Sequence, residues 1–172
     1  MTVRLLNEGD AAGYQELRLR SLRENPVAFL SSAADEEGRS PAEIARRVTP
    51  AADGSLCVFG AFADEQLAGI LTFVRQPREK VRHAGELCGM YVATEFRRRG
   101  LGAALIDAVV AHACSLPGMR QLKLTVAASN VEARALYQAK GFARVGVEPD
   151  AICVDGRYYD DEIYILRLNH VA

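Results

Sequence analysis

The stretch Phe96-Arg97-Arg98-Arg99-Gly100-Leu101-Gly102-Ala103-Ala104-Leu105 constrains this chain most, because it takes a strand through a basic turn straight into a helix that opens on glycines. Upstream, Leu87-Cys88-Gly89-Met90-Tyr91-Val92 combines apolar, aromatic and β-branched types and predicts a strand, with Gly89 marking a bulge. Downstream, Leu101, Leu105, Ala108, Val109 and His112 recur at helical spacing and predict a helix with one face laid on a sheet. The first amides of a helix have no intrahelical acceptor and sit at the positive end of its dipole. Glycines there let a ligand come close. The segment from Arg97 through Ala103 therefore has the composition of a phosphate cradle.

Several readings of that cradle are excluded. Leu105 stands where an extended dinucleotide fingerprint needs its third glycine, and no Gly-x-x-x-x-Gly-Lys-Ser/Thr run exists to bind a nucleoside triphosphate. The chain carries 21 Lys and Arg against 22 Asp and Glu, for a net charge of −1, so the arginines form a local site. Nucleic acid as the main partner would call for a basic excess, a basic helix face or an interleaved aromatic platform. Read alone, the three arginines also fit a solvated helix start.

The rest of the chain supplies a sheet to mount the turn on. At 172 residues and 49% hydrophobic content it suits one domain, residues 1–172, with a substantial core. Thr2 to Leu6 predicts a short strand, and a helix follows from about Asp10 to Glu24 with Tyr14, Leu17 and Ser21 on one stripe, stopped by Asn25-Pro26. The apolar loop Val27 to Leu30, leading to Ser31-Ser32 and Asp35-Glu36-Glu37, fits a core plug or the wall of a substrate pocket. Ser40-Pro41-Ala42-Glu43 is a capping box that starts a short helix to about Val48. Leu56 to Ala63 and Gln66 to Arg75 form a predicted hairpin. After the central helix come a strand from Gln121 to Val126, a helix opened by Ser129-Asn130-Val131-Glu132 and stopped at Gly141, and a last hairpin. That hairpin runs Phe142 to Val154 and Tyr158 to Leu168 around the two-residue turn Asp155-Gly156. This order predicts an α/β (mixed α+β) fold: a mixed, mostly antiparallel twisted sheet of about six to seven strands with helices on both faces.

The succession of strand, Arg97-x-x-Gly100-x-Gly102, helix, strand, then Asn130 to Tyr137 and Gly141-Phe142 resembles the Gcn5-related N-acetyltransferase (GNAT) superfamily over about residues 84 to 145. The resemblance implies the GNAT fold and an N-acetyltransferase that moves an acetyl group from acetyl-coenzyme A (acetyl-CoA) to a primary amine by direct attack. It implies that Arg97, Arg98, Arg99, Gly100, Leu101, Gly102 and Ala103 hold the pyrophosphate. The strand residues Met90, Tyr91 and Val92 then bind the pantetheine arm and polarise the thioester through their backbone. Asn130 bonds the pantetheine, a role compatible with that of a helix N-cap. Tyr137 is the general acid that protonates the leaving thiolate, although a tyrosine inside an amphipathic helix is also an ordinary core residue.

A base for the incoming ammonium is sought among carboxylates. Glu86 lies on the same strand as Met90, on the same face under regular alternation and on the opposite face if Gly89 bulges. Asp35, Glu36, Asp160 and Asp161 fit solvated or amine-attracting positions. His83 reads as a loop residue and His112 as a helix-face residue, and no metal constellation is present in the sequence. Cys57, Cys88, Cys114 and Cys153 are widely spaced, three of them in apolar stretches that read as core, which suits reduced thiols in a cytoplasmic protein. No run of apolar residues reaches membrane-spanning length. The expected partners are acetyl-CoA and an amine acceptor, a small molecule or a peptide or protein amine, with no nucleic acid, membrane or metal. Pairing of two copies through the last strands is compatible with their apolar content. Transfer of another acyl group, or a coenzyme A-binding regulatory module without turnover, are the alternatives.

Overall fold

The computed structural model describes residues 1–168 of the chain. The elements follow in the order β1 (Thr2–Leu5), α1 (Ala11–Glu24), α2 (Ala33–Glu37), α3 (Pro41–Val48), β2 (Leu56–Ala63), β3 (Gln66–Arg75), β4 (Ala84–Val92), α4 (Leu101–Ser115), β5 (Gln121–Ala127), α5 (Val131–Ala139), β6 (Ala143–Val154) and β7 (Arg157–Arg167). The strands make one seven-stranded sheet in the order β1-β2-β3-β4-β5-β7-β6. Every neighbouring pair is antiparallel except β4 and β5. This is the mixed, mostly antiparallel sheet that the order of patterns predicts.

Local chemistry sets the element ends. Ser40 accepts from the Glu43 amide while the Glu43 carboxylate accepts from the Ser40 amide, with Pro41 at the first helical position. The two hairpin turns, Asp64-Glu65 and Asp155-Gly156, place both central residues at positive φ, the geometry that matches strand twist in a two-residue loop.

The sheet is covered on both faces. Leu101, Leu105, Ile106 and Val109 of α4 pack with Phe73, Leu87, Leu122 and Leu124 on one face, where Tyr137 of α5 and Tyr164 also lie. On the other face Tyr14 and Leu17 of α1 and Ile44 and Val48 of α3 pack on Val58, Ile70 and Tyr91. Each such side chain, fully buried, stabilises the fold by about 1.5 to 3 kcal/mol.

Four local expectations need correction. The acidic stretch after the Val27 to Leu30 loop forms the short helix α2, capped by Ser32 with Asp35, and Glu36 is fully buried. Asp161 is buried as well. Of the four cysteines, all free, only Cys57 is buried; Cys88, Cys114 and Cys153 are exposed, because apolar neighbours in sequence do not decide which way a thiol faces. Asn130, not Ser129, caps α5. Among the described residues, no helix is long and apolar enough to cross a membrane.

Candidate active site

The site begins with a break in the sheet. The parallel ladder between β4 and β5 holds only at Ala84↔Gln121, Gly85↔Leu122 and Glu86↔Lys123. Beyond it β4 runs on to Val92 beside β3 alone, while β5 turns away with β7. The cause lies in β4. Ile70 pairs with Tyr91 and Thr72 with Cys88, so Gly89 and Met90 together oppose the single residue Leu71. Gly89 takes φ 65°, a left-handed conformation open to glycine. Such a bulge bends the strand and increases its twist, which carries the end of β4 off β5. A cleft of about 640 Å³ fills the gap, lined by Gly102, Asn130 and Leu136 on the α4 face and by Asn25, Ala28 and Phe29 on the α1 face.

At one end of the cleft stands the N-terminus of α4. Gly100 is its N-cap at φ 83° and supplies no side-chain cap. Among the described residues, the backbone amides of Leu101, Gly102 and Ala103 donate to no acceptor in the protein. Gly102 packs closely: a Cβ there would lie 3.0 Å from Met90 Cε and 3.1 Å from Leu136 Cδ2, so those side-chain ends would have to give way, and a larger side chain would press α4 away from β4 and α5. The three arginines diverge. Arg97 Nε donates to the Val92 carbonyl at 3.0 Å, which ties the turn to the end of β4. Arg98, at φ 60°, is exposed and lines the cleft with Arg97, Gly100, Leu101, Gly102 and Ala103. Arg99 turns away over the Phe96 ring, 5.4 Å from its centroid, and does not line the cleft.

On the α4 face, α5 brings two of the expected residues to the cleft. Asn130 Oδ1 accepts the Ala133 amide at 3.1 Å, which leaves the side-chain NH2 to donate. Tyr137 is only 7% exposed, with its ring edge against Phe142, and its hydroxyl donates to Met90 Sδ at 3.3 Å. Burial pushes this phenol well above its ordinary value, so it holds its proton throughout the neutral range. Met90, Tyr91 and Val92 all line the cleft. Their side chains divide: Met90 and Val92 join the α4-side core, and Tyr91 joins the α1-side core, where its hydroxyl donates to Glu24 at 2.6 Å.

The bulge also decides the position of Glu86. Leu87 belongs to the α4-side core, and a Cβ on Gly85 would meet Phe73, Met119 and Leu122 of that core, so Glu86 between them faces α1. Beyond the bulge Met90 returns to the α4 face. Glu86 is thus not brought beside Tyr137; it sits where β4 and β5 still pair and lies outside the cleft lining. Ala28 and Phe29 resolve the loop before α2 as a wall of the cleft, while Leu30 is 88% exposed.

Two charged groups on the α1 face are buried, Arg18, which was not singled out from the sequence, and Asp161, which was expected at a solvated or amine-attracting position; each is 6% exposed. The signal for Arg18 was its place four residues after Tyr14, on the stripe that the helix turns inward.

Comparisons with known proteins agree with this geometry. A model of the acetyltransferase (GNAT) family matches residues 15–142. No curated protein matches the chain at a significant level. Among solved structures, an acetyltransferase of the GNAT family from Streptococcus pneumoniae is 23% identical with a TM-score of 0.82, over 98% of this chain and 99% of that one. The protein yncA from Salmonella typhimurium, solved with its cofactor acetyl-CoA, is 21% identical with a TM-score of 0.83, over 100% of this chain and 96% of that one. A ribosomal-protein-alanine N-acetyltransferase from Brucella melitensis is 22% identical with a TM-score of 0.79, over 98% and 100%. At these identities the likeness is one of fold.

Proposed function

The chain belongs to the acetyltransferase (GNAT) family, and from that premise we propose that it acts as a single domain which moves an acetyl group from acetyl-CoA to a primary amine by direct attack. The observation that carries this reading is the opening of the sheet past Glu86 and Lys123, which puts free helix amides, an unpaired strand edge and one buried hydroxyl along a single cleft.

The diphosphate of the donor takes the amides of Leu101, Gly102 and Ala103, with Arg97, Arg98 and Gly100 beside it. Arg99, turned onto Phe96, contributes only to the positive potential of the turn. Pantetheine lies along the open edge of β4 at Met90, Tyr91 and Val92 and accepts from the Asn130 amide. The acetyl-CoA held by the yncA protein of the same fold supports this choice of donor.

The amine enters from the α1 face and attacks the thioester carbonyl. A β4 amide aimed at the developing oxyanion lowers the barrier by roughly 3 kcal/mol. As the C–S bond breaks, the Tyr137 hydroxyl exchanges Met90 Sδ for the departing sulfur and donates its proton, and the phenolate takes a proton back from solvent as the thiol leaves. The dry surroundings that raise the phenol raise the proton affinity of the thiolate too, which keeps the gap between them small enough for transfer along a direct hydrogen bond. The surplus proton of the attacking nitrogen leaves on the α1 face, where Glu86 accepts it through solvent.

The test is calorimetric titration with acetyl-CoA, followed by thiol release over a panel of amines. Heat on binding and transfer to at least one amine are expected. Absence of heat would sink the reading; heat without transfer to any amine would make the protein a coenzyme-binding regulatory module instead.

A further inference from the structure

We propose that the acceptor is an amine that also bears a carboxylate or comparable oxyanion, and that Arg18 holds that anion at the α1 mouth of the cleft. This rests on the acetyl-transfer reading above and narrows its acceptor.

Arg18 is a buried cation with unused donors. Among the described residues its Nε and Nη1 have no hydrogen-bond partner, and Nη2 lies 3.7 Å from Glu36 Oε1, beyond hydrogen-bonding distance. Glu36 does not neutralise it alone, because Arg47 and Arg39 already donate to Glu36 Oε2 at 2.6 and 2.5 Å. Three guanidinium groups therefore share one carboxylate. Arg39 and Arg47 keep side-chain exposures of 38% and 36% and reach solvent, whereas the Arg18 side chain is 7% exposed. Unpaired buried charge is costly to keep, so an anion that completes Arg18 gains more here than at a surface arginine.

The position of Arg18 selects the cleft as the source of that anion. Phe29 covers the guanidinium with its ring, 4.9 Å from Arg18 Cζ. Nη1 lies 3.8 Å from the point where a Cβ on Gly89 would stand. Phe29, Gly89 and Cys88 all line the cleft on this side. Arg18 itself stands just behind that lining, so a carboxylate reaching the β4 bulge from the α1 face meets Nη1 once the Phe29 ring moves aside, in a charge-assisted hydrogen bond.

Asp161 supplies an independent second mark. On β7, Glu162 and Tyr164 turn to the α5 side, where Arg134 bonds Glu162, so Asp161 takes the α1 face. Its register partner Ala127 on β5 lines the cleft, and Asp161 Oδ1 is buried without a hydrogen-bond partner among the described residues. Across the opening between β4 and β5 the α1 face therefore carries a cation with unused donors on one side and a carboxylate with an unpartnered oxygen on the other. An acceptor with an ammonium and an anion in one small molecule matches both. A long neutral amine matches neither.

The experiment measures thiol release from saturating acetyl-CoA with the common L-amino acids and, for each, its carboxamide, compared at equal concentrations of free amine. The expected result is at least one acid favoured over its amide by about tenfold or more in kcat/KM, as a charged hydrogen bond allows. Arg18→Gln is expected to remove that preference mainly through the KM of the acid, and Arg18→Lys to restore part of it. The wild-type ratio stands by itself if the variants do not fold. Acid-to-amide ratios near one, turnover of uncharged amines only, or no turnover of any acid would overturn the inference. Each of these leaves acetyl-CoA binding measurable by calorimetry, so a failed acceptor class is distinct from a failed donor assignment.

Discussion

At the scale of the residue, Tyr137 is the core position on which the proposed transfer rests. A tyrosine among Phe142, Met90 and Leu136 would be packing alone, except that its hydroxyl reaches a thioether, a weak acceptor that is easily exchanged for another sulfur. Tyr137→Phe is expected to lower the rate of thiol release by about 100-fold or more while leaving the acetyl-CoA dissociation constant nearly unchanged, because only the proton donor is lost. An unchanged rate removes the residue from its role. Since burial raises this phenol, activity is expected to show no falling limb from it up to about pH 10, where an exposed tyrosine would ionise. The spacing of Asn130, Tyr137 and Gly141-Phe142 made these residues legible in the sequence. The burial of Arg18 and Asp161 was not, because a charged residue in a helix or strand gives no sign of whether another element closes over it.

At the scale of the element, the β4 bulge and the entry of α4 depend on glycines for different reasons. Gly100 is demanded by its φ of 83° with open space around it, so Gly100→Ala is expected to cost only backbone strain, about 1 to 2 kcal/mol by urea unfolding. Gly102→Val meets Met90 and Leu136, and is expected to weaken acetyl-CoA binding more than tenfold by displacing α4 from β4. Helices α1, α2 and α3 are tied by Glu36, whose backbone carbonyl also accepts from Gln15 at 2.8 Å. Burial would push the Glu36 carboxyl up, but hydrogen bonds from Arg47 and Arg39 outweigh it and hold the group below the usual carboxylate range. Its folded value is thus lower than its unfolded one. The stability it contributes is present above the ordinary carboxylate value and is lost as pH falls through the lowered one. Glu36→Gln is expected to destabilise the fold by about 3 kcal/mol at neutral pH and to flatten the acid limb of a stability–pH curve. An equally steep limb in the variant would place the acid sensitivity elsewhere.

At the scale of the molecule, the sheet is two parts that share one short seam. Strands β1 to β4 and strands β5, β7 and β6 meet only at the ladder from Ala84 to Glu86, and the cleft separates them beyond it. A donor that touches both sides adds a bridge which the unfolded chain lacks. At acetyl-CoA one hundred times its dissociation constant the gain is about 2.7 kcal/mol, a rise in Tm of roughly 5 to 10 °C for a chain of this size. No rise at that concentration would mean that the cleft does not take the coenzyme. What the sequence by itself determined was the order and type of nearly every element, the Gly89 bulge, the glycine-rich turn into α4 and the two hairpin turns, because periodicity, capping and turn chemistry act between near neighbours. Tertiary structure alone decided that Glu86 faces away from Tyr137, that Arg99 leaves the cleft, that Glu36 and Asp161 are buried, and that Arg18 keeps unused donors. Each of these depends on which distant element covers a given face, and burial sets the energy of a charge only once that cover is in place.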